Sequence, residues 1–290
     1  MYSQQECARG PLLVGMLLLS TLACDAEMDQ GEPDDELRPV LNIAHRGGSH
    51  LAPEETMPAF ENAVAIGVDM LELDVHASAD GVVVLCHDVT VDDTTDGTGL
   101  IKEMTLAELR RLDAGYWFTR DGGQSYPFRG QGVQIATLEE VLSAFPESQY
   151  TIELKQDEPP IVDAVLEVVD RHGARDRIIF AAVDDGTLQA LRAAQPPLRT
   201  SFGLQEVADF ALLTAAEEAT YEPPAEVFQV PDFALRVDFI ERAHRLQLPV
   251  QVWTVNDPEL MHYYIGLGVD GIITDDPATL QQILDMRDQD

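Results

Sequence analysis

Seven side chains stand at spacings that could do chemistry on an anionic ester. His45 and Arg46 open the run HRGG, Glu72 and Asp74 stand two apart in LELDV, His87 heads HD, and Glu153 and Lys155 stand two apart in IELK. In a strand, residues two apart share a face. Carboxylates crowded together raise one another's pKa unless a cation sits among them. Oxygen ligands of this kind suit a hard divalent ion, Ca²⁺ or Mg²⁺. Arg46 and Lys155 suit an anionic oxygen. Two imidazoles near neutral pKa suit a base on one side of a phosphorus and an acid on the other. Taken singly, a strand-end Glu is usually a solvated rim residue and a His a hydrogen-bonded structural one. His50, His76, His172, His244 and His262 are read that way, although His76 shares parity with Glu72 and Asp74. Joint placement is what separates the seven.

The elements that must position them alternate. Eight β-rich runs lie at 40–44, 69–75, 149–154, 177–183, 199–204, 226–230, 249–255 and 270–274. Between and after them run amphipathic stretches at 57–66, 137–145, 160–172, 186–194, 204–216, 235–246, 258–267 and 277–286, several opened by cap chemistry such as Thr56-Met-Pro and Asp257-Pro. This alternation predicts an α/β fold, a (β/α)8 TIM barrel, with a doubly wound open sheet as the alternative. In such a barrel the C-terminal strand ends carry the site, and the seven residues fall there. The run Val82–Cys86 follows the second strand too closely for a parallel crossover, so it reads as an antiparallel hairpin through Asp80-Gly81. A two-residue turn there would set Asp74 across from His87. The Gly-rich stretch at about 88–132 reads as a small insertion above the mouth.

The chain has 290 residues and a formal charge of −34, and its only lysines are Lys102 and Lys155. Such acidity excludes binding of nucleic acid or an anionic bilayer through charge. The apolar run Pro11–Ala23 is shorter than the roughly 20 residues that span a bilayer and fits a secretory signal, residues 1–23. Cys24 follows at once, as in a lipoprotein signal, with ordinary cleavage near Ala23 as the alternative. Residues 24–38 read as an acidic linker and 39–290 as the barrel. The expectation is an exported protein on the periplasmic or extracellular face, touching membrane only through a lipid on Cys24. With Cys7 leaving in the signal and Cys24 expected to carry lipid, Cys86 alone remains and is read as a buried small hydrophobe.

The segments IAHRGGSHLAPEET (43–56), LELDVHASADGVVVLCHD (71–88), TIELK (151–155) and VWTVNDPELMHYYIGLGVDGIITDDP (252–277) resemble the glycerophosphodiester phosphodiesterase family, as do TTDGTG, LDAGYWF, YPFRGQGV and TLEEVL in and after the insertion. The resemblance covers about residues 40–287. It implies hydrolysis of glycerophosphodiesters to sn-glycerol 3-phosphate and an alcohol, through a cyclic phosphate formed by the substrate's 2-hydroxyl. By match to the family motifs, Glu72, Asp74 and Glu153 would be the ligands of one Ca²⁺ or Mg²⁺, and His45 and His87 the acid–base pair. Arg46 and Lys155 would hold the phosphate, and Trp253 would line the glycerol side. Three positions depart from the pattern: Glu55 stands for Asn, Asp93 for Arg and Ala136 for Pro, the first two adding negative charge near the mouth. Lysophospholipid cleavage, or a catalytically silent surface binding role, are the alternatives.

Overall fold

The structure is a computed structural model that describes residues 39–288. The signal, Cys24 and the acidic linker therefore lie outside the described residues. Strands β1 (Leu41–Ala44), β2 (Met70–Ala77), β3 (Val83–Leu85), β4 (Gln149–Leu154), β5 (Ile178–Ala182), β6 (Phe228–Pro231), β7 (Val250–Trp253) and β8 (Gly271–Thr274) form one sheet. The path β5-β4-β2-β1-β8-β7-β6 is parallel throughout, and β3 pairs antiparallel with β2. Thr200 bridges to Phe180 of β5, and Ser201 bridges to Val227 beside β6, so the sheet closes on itself. The expected TIM barrel is thus present. All eight residues of β2 are buried, as a parallel strand covered on both faces requires.

Helices α1 (Met57–Ile66), α2 (Leu106–Leu109), α3 (Leu138–Ala144), α4 (Val162–Arg171), α5 (Asp185–Ala193), α6 (Leu204–Ala211), α7 (Ala215–Glu218), α8 (Val237–Arg245), α9 (Pro258–Leu267) and α10 (Pro277–Arg287) complete the chain. None is long and apolar enough to cross a membrane. On the barrel strands, Ile43, Met70, Ile179, Val227 and Ile273 form one apolar cluster. Ile43, Met70 and Ile273 lie two residues before His45, Glu72 and Asp275, so this cluster is the floor beneath those side chains.

Three local expectations need correction. The hairpin pairs Val75 with Leu85, His76 with Val84 and Ala77 with Val83. Cys86 N–H donates to the Asp74 carbonyl at 3.1 Å, so Asp74 lies level with Cys86 and not with His87. The loop has three residues: Gly81 N–H closes a turn onto Ser78 O (2.9 Å), and Gly81 then takes φ +81° before Val82 rejoins the pairing. The run 199–204 is no regular strand but two single bridges. Pro196 and Pro197 precede it, Gly203 already caps α6, and the Thr200 N–H is taken by the Glu226 carboxylate at 2.7 Å. The helix expected over 204–216 breaks into α6 and α7, because Thr214 starts a new capping box with Glu217. A smaller correction concerns Thr56. It precedes α1, but its hydroxyl donates to Pro53 O at 2.5 Å and leaves the helix uncapped.

The insertion packs Val91, Ile101, Leu109 and Ala114 against Val84 and Cys86. Cys86 is buried, and burial pushes its thiol pKa up to about 12, which leaves it the inert small hydrophobe expected.

Candidate active site

Register decides who meets whom. Ala44 of β1 pairs with Leu71 of β2 and with Thr274 of β8. One step further on, His45, Glu72 and Asp275 come level. Asp74 of β2 pairs with Glu153 of β4, so those carboxylates stand side by side. Oxygens of Glu72, Asp74 and Glu153 lie within 4.8 Å of one another.

The chain leaves β1 through a tight turn at His45–Gly47. Gly47 has φ +82°, and a Cβ there would stand 2.8 Å from Ala59 Cβ, so only glycine lets the turn pack on α1. This turn aims the Arg46 N–H at Glu72 Oε2 (2.9 Å). The Arg46 guanidinium reaches Glu54 (2.9 Å) and Asp74 (3.4 Å). Lys155 Nζ lies 2.8 Å from Glu153 and 3.2 Å from Asp74. Two bases thus balance part of the charge of a denser set of acids.

The residual imbalance shows in the protonation equilibria. Burial, and then the Asp74 charge, push the Glu72 pKa up to about 8. Burial lowers Lys155, but Asp74 and Glu153 outweigh it and raise its pKa. Both Asp74 oxygens are buried without a hydrogen-bond partner. Buried carboxylate oxygens of this kind, mutually repelling and only partly offset by Lys155 and Arg46, fit a hard divalent cation held by Glu72, Asp74 and Glu153.

His45 is oriented by a residue that sequence reasoning missed. Its Nδ1 donates to Asp275 Oδ1 at 2.6 Å, which leaves Nε2 facing Glu72, 4.0 Å away. Asp275 also accepts from Ser49 Oγ (2.7 Å) and Asn256 Nδ2 (2.6 Å). Burial lowers the His45 pKa, but Asp275 and Glu72 outweigh it, so the net shift is upward. The same hydrogen bonds hold Asp275 well below the usual carboxylate range against its own burial. The signal for Asp275 was its place one residue past β8, where His45 stands past β1.

His87 reaches the mouth from the loop after β3, which is why it survives the one-residue change of register. Its Nδ1 donates to Asp88 Oδ1 at 3.0 Å, and buried His76 donates from Nε2 to the His87 carbonyl at 3.4 Å. His172 and His244 bond Glu139 and Asp270, each at 2.8 Å, as expected of structural histidines. His50 lies 3.8 Å from Asp275, nearer the site than its structural reading implied.

His45, Arg46, Glu72, His87, Glu153, Lys155 and Trp253 line one cavity of about 340 Å³, with Gln229 beside them. Asp74 is buried beneath. All eight residues singled out from the sequence therefore converge. Glu55 was noted there only as a departure. It is buried, takes φ +59°, and accepts the Asp74 N–H at 2.9 Å. Asn enters that backbone region more readily than Glu. Burial and the charges of Asp74 and Glu72 raise the Glu55 pKa well above the carboxylate range.

The pattern of the Glycerophosphoryl diester phosphodiesterase family matches residues 45–279. The chain belongs to this family. A glycerophosphodiester phosphodiesterase of Caldanaerobacter subterraneus subsp. tengcongensis is 33% identical over 252 residues, covering 83% of this chain and 96% of that protein. One from Bacillus subtilis is 31% identical over 261 residues, covering 84% and 86%. Among solved structures, a phosphodiesterase from Oleispira antarctica in complex with the product sn-glycerol-3-phosphate superposes with a TM-score of 0.73 at 28% identity, covering 86% of this chain and 97% of that one. The protein is a phosphodiesterase of the glycerophosphoryl diester family.

Proposed function

We propose that this phosphodiesterase cleaves glycerophosphodiesters to sn-glycerol 3-phosphate and an alcohol by paired-histidine catalysis that depends on a divalent cation. The observation that carries the reading is the shared mouth: three carboxylate oxygens within 4.8 Å of one another, bordered by His45 and His87. Glu72, Asp74 and Glu153 would hold Ca²⁺ or Mg²⁺. When bound, such an ion supplies Lewis acidity at a phosphate oxygen and at the substrate hydroxyl.

The protein's own groups do the rest. Arg46 and Lys155 draw the phosphate in and stabilise the charge that builds on its oxygens. Asp275 holds the His45 proton on Nδ1, so Nε2 is the atom that exchanges a proton in the mouth. In the first half, one histidine takes the proton of the glycerol 2-hydroxyl as that oxygen attacks phosphorus, and the other protonates the departing alcohol. The cyclic phosphate is then opened by water with the histidine roles exchanged. Trp253, half exposed on the rim, faces the glycerol carbons.

Export and a lipid on Cys24 belong to the same proposal, and the intact mass of the mature N-terminus checks them. The function itself is tested by following glycerol 3-phosphate release from glycerophosphocholine in chelator, then with Mg²⁺ or Ca²⁺ restored. Turnover that disappears in chelator and returns with either ion is expected. No turnover with any divalent ion would overturn the reading.

A further inference from the structure

A second cleft opens beside the mouth, about 220 Å³ in volume, between the turn after β1 and the insertion. Glu54 lines it and also pairs with Arg46 at 2.9 Å. Glu54, Thr94 and Ala114 also line a smaller space bordered by His87. The cleft therefore adjoins the histidine side of the mouth, with Glu54 and Thr94 between them, away from the strand β7 end where Trp253 stands. A diester has two arms, and the arm opposite the glycerol needs a place.

The chemistry of the walls selects what fits. The ionisable groups lining the cleft are Glu54 and Asp93, and no base lines it. Among the described residues no Lys, Arg or His lies within ion-pair distance of Asp93, which is exposed. Trp117 and Phe118 supply aromatic surface. Trp117 is 47% exposed; edge contacts with Tyr116 (4.7 Å) and Tyr126 (6.3 Å) fix its ring, and the Arg129 guanidinium, which does not line the cleft, lies 5.3 Å from the ring centre. An aromatic wall beside an uncompensated carboxylate is the arrangement that binds an ammonium group.

We infer that this cleft is the subsite for the leaving alcohol and that Asp93 and Trp117 make it select a cationic one, choline or ethanolamine, over neutral glycerol. The inference rests on the phosphodiesterase reading above and adds a preference to it. The charge on Asp93 attracts the ammonium, the Trp117 face receives it, and the phosphate at Arg46 and Lys155 is drawn by groups the subsite does not share.

The test compares kcat/KM for glycerophosphocholine and glycerophosphoglycerol, in the wild type and in Asp93→Asn, Asp93→Lys and Trp117→Leu, at fixed ionic strength. The wild type is expected to favour glycerophosphocholine. The ratio should fall about threefold in Asp93→Asn, as for an exposed charge pair, and about tenfold in Asp93→Lys, where attraction becomes repulsion. Trp117→Leu, which keeps apolar bulk, should lower it by about threefold through the lost ring face. If both substrates turn over and the ratio is equal in wild type and variants, the subsite assignment is overturned while the phosphodiesterase reading stands. If neither turns over under any divalent ion, both fall together.

Discussion

Asp275→Asn isolates what the orienting carboxylate contributes. The amide has nearly the shape of the carboxyl it replaces, so its oxygen can still accept from His45 Nδ1 and Ser49 Oγ, now 2.6 and 2.7 Å from Asp275. Its NH₂ then faces Asn256 Nδ2, a donor that Asp275 Oδ2 accepts at 2.6 Å, and one bond of the network is lost. The charge on the His45 partner is also gone. A hydrogen bond to a charged partner contributes about 1.5–3 kcal/mol when both groups are largely buried, and loss of that charge should lower the His45 pKa. The side chains are 17% and 16% exposed, so solvent screening takes little from this. Burial, which already works to lower the pKa, is then opposed by the Glu72 charge and a hydrogen bond to an uncharged acceptor. The sign does not depend on which role His45 plays. Whether it must be neutral as a base or charged as an acid, the limb of the pH profile that it governs moves toward acid. Turnover should fall about 10²-fold, because the imidazole loses its fixed tautomer. The assay is the pH dependence of kcat/KM on glycerophosphocholine at saturating Mg²⁺. It is paired with NMR titration of the imidazole in metal-free protein. An unmoved limb together with an unmoved His45 titration would show that Asp275 does not set this group, whatever happens to the rate.

Further outcomes follow from the same geometry. Because burial and Asp74 push Glu72 up to about 8 in the cation-free protein, loading a divalent ion must displace a proton below that pH; calorimetry in two buffers should show proton release and an affinity that weakens as pH falls from 8 to 6, and a flat affinity would refute the ligand role of Glu72. His87→Ala should lose nearly all turnover while His262→Ala, exposed on α9, stays within about twofold of wild type, the ordinary result for a surface change; equal activities would refute the assignment. Gly47→Ala should cost about 1–3 kcal/mol in denaturant unfolding, since it combines φ +82° with a Cβ 2.8 Å from Ala59, and it should lower turnover by displacing Arg46. Glu55→Gln should remain folded and active, because an amide oxygen can still accept the Asp74 N–H now held at 2.9 Å; loss of the fold would show that the acid itself is needed.

What could be read from sequence and what could not divide along one line. Parity within a strand is local, so Glu72 with Asp74, and Glu153 with Lys155, are legible as pairs on one face from the amino-acid order alone. Register between strands is not local. The hairpin turn differs from expectation by one residue, since the turn closes from Ser78 to Gly81 and left-handed Gly81 adds a third loop residue, and Asp74 moves from opposite His87 to opposite Cys86. That slip leaves the site intact, because β3 ends at Leu85 and His87 is placed by its loop. Asp275 was within reach: it stands in TDDP at the end of a recognised strand, but its meaning depends on β8 lying next to β1, a contact across more than two hundred residues. Glu54 carried no periodic signal at all, and its tie to Arg46 depends on how the turn after β1 folds back. The failed strand at 199–204 has β-forming composition, and it was flanking proline and an immediate helix cap that shortened it.

The net charge of −34 and an anionic substrate conflict until the charges are placed. Around the mouth, Glu54, Glu72, Asp74, Glu153 and Asp275 face the two fixed cations Arg46 and Lys155, and both cations are already engaged with those acids. A phosphodiester approaching this arrangement meets two donors already paired with acids and more acids than bases. On the proposed reading, a divalent ion on Glu72, Asp74 and Glu153 would add positive charge there and free Lys155 to turn toward phosphate. Such an ion would have a consequence for affinity as well as rate: the cation and the phosphodiester would each raise the other's binding, since linkage between two sites is reciprocal. The acidity elsewhere on the surface lies mostly beyond a Debye length, about 8 Å at physiological salt, and is largely screened from the substrate, so it sets solubility while the local balance sets function. One of the chain's two lysines stands where that balance is struck.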